Sequence, residues 1–197
     1  MQMSVPQRRS LLPINDPLTM PADRHYQQLI TIFNDCFKTR EQTILVAGDD
    51  EPFYCPAGQH TGYHRIVFAH GFYASALHEV SHWCIAGRVR RQIFDYGYWY
   101  QPDGRDQVQQ RAFEQVEKKP QALEWLFSLC AGINFQVSVD NLSGIEVDRH
   151  AFTRSVKDQL LAYYRTQIPT RAEIFARALC QYYQTEWPSE SRLAALG

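Results

Sequence analysis

The 197-residue chain has no C-x-x-C cysteine pair, no long apolar run and no excess charge of either sign. Each absence closes a class. Its five cysteines, Cys36, Cys55, Cys84, Cys130 and Cys180, are scattered and odd in number, which argues against a zinc ribbon or a disulfide scaffold. No stretch reaches the roughly 20 apolar residues that cross a bilayer, and the N-terminus lacks the apolar core of a secretory signal. With 20 Lys and Arg against 21 Asp and Glu, the net charge of -1 offers no global field for nucleic acid and no acidic tail. Internal repeats and low-complexity tracts are missing too. The expectation is a cytoplasmic protein that neither enters a membrane nor binds nucleic acid directly.

What is present is ample core material. Apolar residues make up 45% of the chain and aromatics 13%. Residues 1–22 hold Pro6, Pro13, Pro17 and Pro21 without sustained periodicity and read as a flexible extension, leaving 23–197 as a single domain. Tyr26, Leu29, Ile30, Phe33 and Phe37 recur at spacings that predict an amphipathic helix to about Lys38. Short apolar runs at 43–47, 53–55 and 65–69 predict strands, and alternating aromatics at 94–100 predict another before a Pro-Asp-Gly turn. Helices follow at 107–117 and 120–130, with a break where Pro120 removes a backbone donor. Two more are expected at 148–165 and 171–185. The fold class is α+β, a small mixed sheet packed with several helices.

The chain is organised around residues 72–84, which contain His78-Glu79-x-x-His82. Good helix formers, no proline, and Gly87 beyond the end make this stretch helical. Residues four apart share a helix face, so the two imidazoles can grip one metal ion, while Leu77, Val80 and Cys84 form a separate apolar stripe. The run Arg88-Val89-Arg90-Arg91 stands where cations complement a helix C-terminus.

Two histidines leave the chemistry open. Glu79 projects about 100° from His78, so a third ligand must come from elsewhere. Glu117 is the first candidate, Glu124 the second, with Asp95 and Asp106 behind them. His60, His64 and His70 read as loop and strand-end histidines. One design is a zinc hydrolase, metallopeptidase or endoribonuclease, with Glu79 as general base. Another is the two-His-one-carboxylate site on Fe(II), with open positions for O2 and substrate. A closed, purely structural site is the third.

The stretches 65–87, 95–106, 119–125 and 140–142 resemble the bacterial elongation factor P hydroxylase family, and the similarity covers residues 23–187. The resemblance implies a non-haem iron hydroxylase, a monooxygenase acting on the β-lysylated lysine of elongation factor P. His78 and His82 match the family's metal histidines, and Glu117 is carried over as its carboxylate. It further implies O2 as co-substrate and the fold of a metal-dependent endoribonuclease of rRNA maturation. On this reading the aromatics around Tyr98 enclose the modified lysine, and Asp103, Asp106 or Glu124 meets its ammonium groups. No H-x-D sequence and no arginine recognisably placed for a co-substrate carboxylate occur, so the reductant stays open.

Overall fold

A computed structural model describes residues 25–58, 62–95, 103–139, 141 and 144–196. Three short apolar runs become β1 (Thr43–Ala47), β2 (Phe53–Cys55) and β3 (His64–Phe68). β3 is central: β1 pairs with it in parallel, from Thr43 opposite His64 to Ala47 opposite Phe68, and β2 pairs antiparallel, with Phe53 opposite Val67. The sheet is therefore small and mixed, as expected. The strand anticipated at 94–100 shows only a bridge from Asp95 to Tyr54, and residues 96–100 lie outside the described residues.

A tight turn joins β3 to α2 (Tyr73–Ile85). His70 and Gly71 both take left-handed backbone, with φ of 54° and 66°. A Cβ on Gly71 would stand 2.9 Å from the Tyr26 ring, so neither the dihedral nor the space suits a side chain there. The Ala69 N–H donates to Ser75 Oγ at 3.2 Å and helps start the helix. α2 buries Ala76, Leu77, Val80, Trp83 and Cys84, which contains the apolar stripe expected from sequence.

α3 (Gln107–Ala131) corrects the expected break: it runs unbroken through Pro120. An interior proline costs about 3 kcal/mol. The same helix buries Phe113, Leu123, Leu126 and Phe127, each contributing about 1.5–3 kcal/mol, and that packing wins. Its ends are well made, with Asp106 as N-cap and Gly132 in left-handed backbone at the C-terminus.

α1 (Tyr26–Phe37) lies on β1, where the Leu45 N–H donates to Asn34 Oδ1 at 3.1 Å. α4 (Arg149–Arg165) and α5 (Thr170–Tyr183) pack on α3, and α6 (Glu190–Ala194) closes against α4. α6 has too few residues to show a period, and only Ser189, its N-cap, marked its start. Phe33 and Phe37 of α1 meet Trp83 edge-on at 5.2 and 4.9 Å, and Phe175 of α5 meets Phe33 at 5.8 Å. This aromatic cluster seats the last turn of α2. Among the described residues no helix is long and apolar enough to cross a membrane.

The basic run after α2 does not serve its C-terminus. α2 ends at Ile85; Arg90–Gln92 form one turn of 3-10 helix, Arg90 pairs with Asp95 and Arg91 with Glu41. Arg171 of α5 takes that role instead, donating to the carbonyls of Trp83, Cys84 and Ala86 at 2.9, 3.1 and 2.6 Å. Its guanidinium also lies 4.7 Å from the centre of the Trp83 ring.

Candidate metal centre

α2 and α3 pack against each other, and their polar faces meet in one cluster. His78 and His82 stand one turn apart on α2, with their Nε2 atoms 3.1 Å from each other. Glu117 reaches across from α3: Oε2 is 3.6 Å from His78 Nε2, and Oε1 is 3.5 Å from His82 Nε2. Glu117 is 1% exposed, against 24% and 19% for the two histidine side chains. The site is thus sealed on the α3 side and reachable past the imidazoles.

These separations fit a shared ion. Donors bound at about 2.1 Å lie about 3.0 Å apart at right angles and about 3.4 Å apart in a tetrahedron. The three donor atoms all fall within 4.8 Å of one another, and no other such group occurs among the described residues. Two neutral imidazoles and one carboxylate suit zinc and non-haem iron alike.

Glu124 and Glu117 meet different nitrogens of His78. An unbroken α3 puts the two carboxylates two turns apart on one face, and both reach His78. Glu124 Oε2 lies 2.9 Å from Nδ1, the ring nitrogen away from the cluster. That bond favours the Nδ1–H tautomer and leaves the Nε2 lone pair for an ion, an arrangement common behind metal-bound histidines. Burial pulls the His78 pKa down, but Glu124, by hydrogen bond and charge, together with Glu117 and Glu79, pushes it up to about 10. An ion taking Nε2 must therefore displace a proton.

Glu79 turns elsewhere. With His82, Trp83 and Ala86 it forms the helical row that borders a small cavity, walled also by Phe53, Tyr54 and Ile66. Arg90, Arg91 and Asp95 complete the rim. Burial pushes the Glu79 carboxyl up, against the pull of His78 and His82. Burial likewise pushes the Tyr54 phenol up to about 12, so it stays protonated and donates to the Arg91 carbonyl at 3.0 Å. His82 belongs to both the cluster and the cavity wall.

The remaining candidates among the described residues are not part of the three-residue group. The Asp106 carboxylate accepts from the backbone N–H groups of Val108 and Gln109 as the α3 cap. Asp103 is exposed in the preceding turn. Asp95 is paired with Arg90 on the cavity rim. His64 Nδ1 accepts from the Ala57 N–H, and His70 sits in the turn before α2, near the Phe72 ring. Tyr98 and His60 lie outside the described residues. Phe53, Tyr54 and Arg171 went unnoticed as parts of this neighbourhood, although the 79, 82, 83, 86 spacing could have marked one more row along α2.

The model of a family described as elongation factor P hydroxylase matches residues 32–193. A protein of Haemophilus influenzae named elongation factor P lysine hydroxylase is 48% identical over 160 residues, covering 81% of this chain and 90% of that relative.

Proposed function

The chain belongs to the elongation factor P hydroxylase family, and from that premise we propose that it hydroxylates a lysine side chain of elongation factor P. The observation that carries this reading in the structure is the convergence of His78, His82 and Glu117 from two helices, with Glu124 holding the first of them. The ion is Fe(II), held by those three side chains, and the lysine is one already carrying a β-lysyl group. Bound iron would supply what no side chain can, activation of O2 against an unreactive C–H bond. One oxygen atom enters the C–H bond and the other leaves as water, with two electrons from an external reductant and two protons from solvent. The reaction takes place in the cytoplasm, where translation factors act.

The protein's own residues bind, orient and shield. Glu124 keeps the His78 ring turned so that Nε2 faces its partners. The end of the modified lysine comes to the mouth of the cavity beside His82, near Phe53, Tyr54 and Trp83. Glu79, at the cavity edge, handles a proton or an ammonium group there.

Intact-mass analysis of β-lysylated elongation factor P, incubated with this protein, Fe(II), a reductant and labelled O2, tests the reading. The product should gain one oxygen carrying the label, and His78→Ala should abolish the gain. A zinc-supported hydrolysis lost in Glu79→Gln, with no oxygen gained in iron, would favour the hydrolase.

A further inference from the structure

Outside the metal cluster, a groove of about 690 Å³ runs along the first half of α4, next to the segment after α3 and to Leu196. Its floor is apolar. Trp125 and Phe135 are stacked there with ring centres 4.9 Å apart and planes at 23°, beside Val137 and Leu196. Its wall is cationic: Arg149, Arg154 and Lys157 line it, and among the described residues no aspartate or glutamate does. A second cleft shares Arg154, adds Lys118 and contains a single acid, Asp158.

Among the described residues, none of these four cations lies in an ion pair, unlike Arg90, Arg91, Arg165 and Arg177. Arg149 donates instead to the Val137 carbonyl at 3.3 Å, and Lys157 to that of Leu196, both neutral acceptors. In a chain with 20 basic and 21 acidic residues, so one-sided a groove is a local feature rather than a reflection of composition. Groove and cluster share α3: Trp125 follows Glu124 directly, about 100° further round the helix.

We propose that this groove docks an acidic segment, with apolar side chains among its carboxylates, on the surface of the protein substrate. The inference rests on the reading above, that the substrate is a whole protein. A cationic wall over an apolar floor fits such a segment better than it fits nucleic acid. A base needs an open aromatic face, whereas Trp125 is 6% exposed and already stacked on Phe135. Charged residues at the edge of an interface act mainly on encounter and on salt dependence.

The test uses the iron-loaded protein and two charge-reversed pairs, Arg154→Glu with Lys157→Glu, and Arg154→Glu with Lys118→Glu. Measured are KM and kcat on intact β-lysylated elongation factor P, metal content, and direct binding of the intact factor at low and high salt. A short peptide bearing the modified lysine serves as control. For both pairs KM and the dissociation constant on the intact factor should rise about tenfold. Metal content, kcat and turnover of the peptide should not change, and the wild-type salt dependence should flatten. A KM within twofold of wild type overturns the proposal, as does an equal loss on the peptide or a variant that binds less iron. Loss of binding to a labelled RNA with the intact factor unaffected overturns it in favour of nucleic acid. If wild type hydroxylates nothing, the reading of its reaction fails, and the binding titration alone still decides the groove.

Discussion

His78 is where the two carboxylates of α3 meet: one lies near Nε2 and the other at Nδ1. The two make different demands on the ring. Glu124 orients it, so Glu124→Gln should weaken metal binding about 10–100-fold without removing a ligand. Glu117→Gln should weaken it further, because a charged donor is lost. Glu79→Gln should leave affinity nearly unchanged, since that side chain borders the cavity instead. Competitive titration against a chelator with Co(II) separates the three, and a large loss in Glu79→Gln would contradict this division. The same carboxylates give metal binding a pH dependence. His78 holds a proton up to about 10, well above the usual imidazole range, and that proton competes with the ion throughout the neutral region. Affinity should therefore rise with pH from 6 to 9, by up to about tenfold per unit, and the ion should release protons on binding. Isothermal titration in buffers of different ionisation enthalpy counts those protons; a flat profile would mean that His78 is already neutral.

At the scale of elements, the site depends on how α2 ends. Its last carbonyls are satisfied by Arg171, which arrives from α5 more than 80 residues later. Hydrogen bonds from a charged donor contribute about 1.5–3 kcal/mol each when isolated, and these three share one nitrogen. Arg171→Met should thus cost about 2–4 kcal/mol in urea unfolding, and Arg171→Lys somewhat less. A loss under 1 kcal/mol would show that Phe33, Phe37 and Phe175 seat that turn without help. Here the limits of the sequence are plain. α2 was legible because its signal is local: helix formers, an apolar stripe and two histidines one turn apart. Arg171 was not, because its role exists only once α5 has packed on α2. Pro120 misled for the same reason, since its local penalty was visible and the opposing burial of α3 was not. Glu117 and Glu124 could share a face only if the break at Pro120 was mild, and the continuous helix delivers both.

For the molecule as a whole, the cluster is a cross-link between α2, which follows the central strand of the sheet, and α3, the helix on which α4 and α5 pack. No disulfide does this work, for all five cysteines are free thiols. The small mixed sheet and its helices could be read from short apolar runs and helical periods. The meeting of α2 with α3 was implied only through Glu117 as third ligand, because the packing itself is decided between segments that the sequence keeps apart. An ion that joins two helices binds the folded chain and not the unfolded one, so its binding energy adds directly to stability. At a hundredfold excess over its dissociation constant the gain is about 2.7 kcal/mol. For a chain of this length each kcal/mol shifts Tm by about 2–4 °C, so saturating Fe(II) under anaerobic conditions, or Co(II), should raise Tm by roughly 5–10 °C. His78→Ala and Glu117→Gln should lose most of that rise, while the paired charge reversals in the α4 groove should keep it. Differential scanning calorimetry with and without the ion measures this directly. If the rise survived in His78→Ala, the ion would be stabilising the fold from some other place, and the link between α2 and α3 would have to be abandoned.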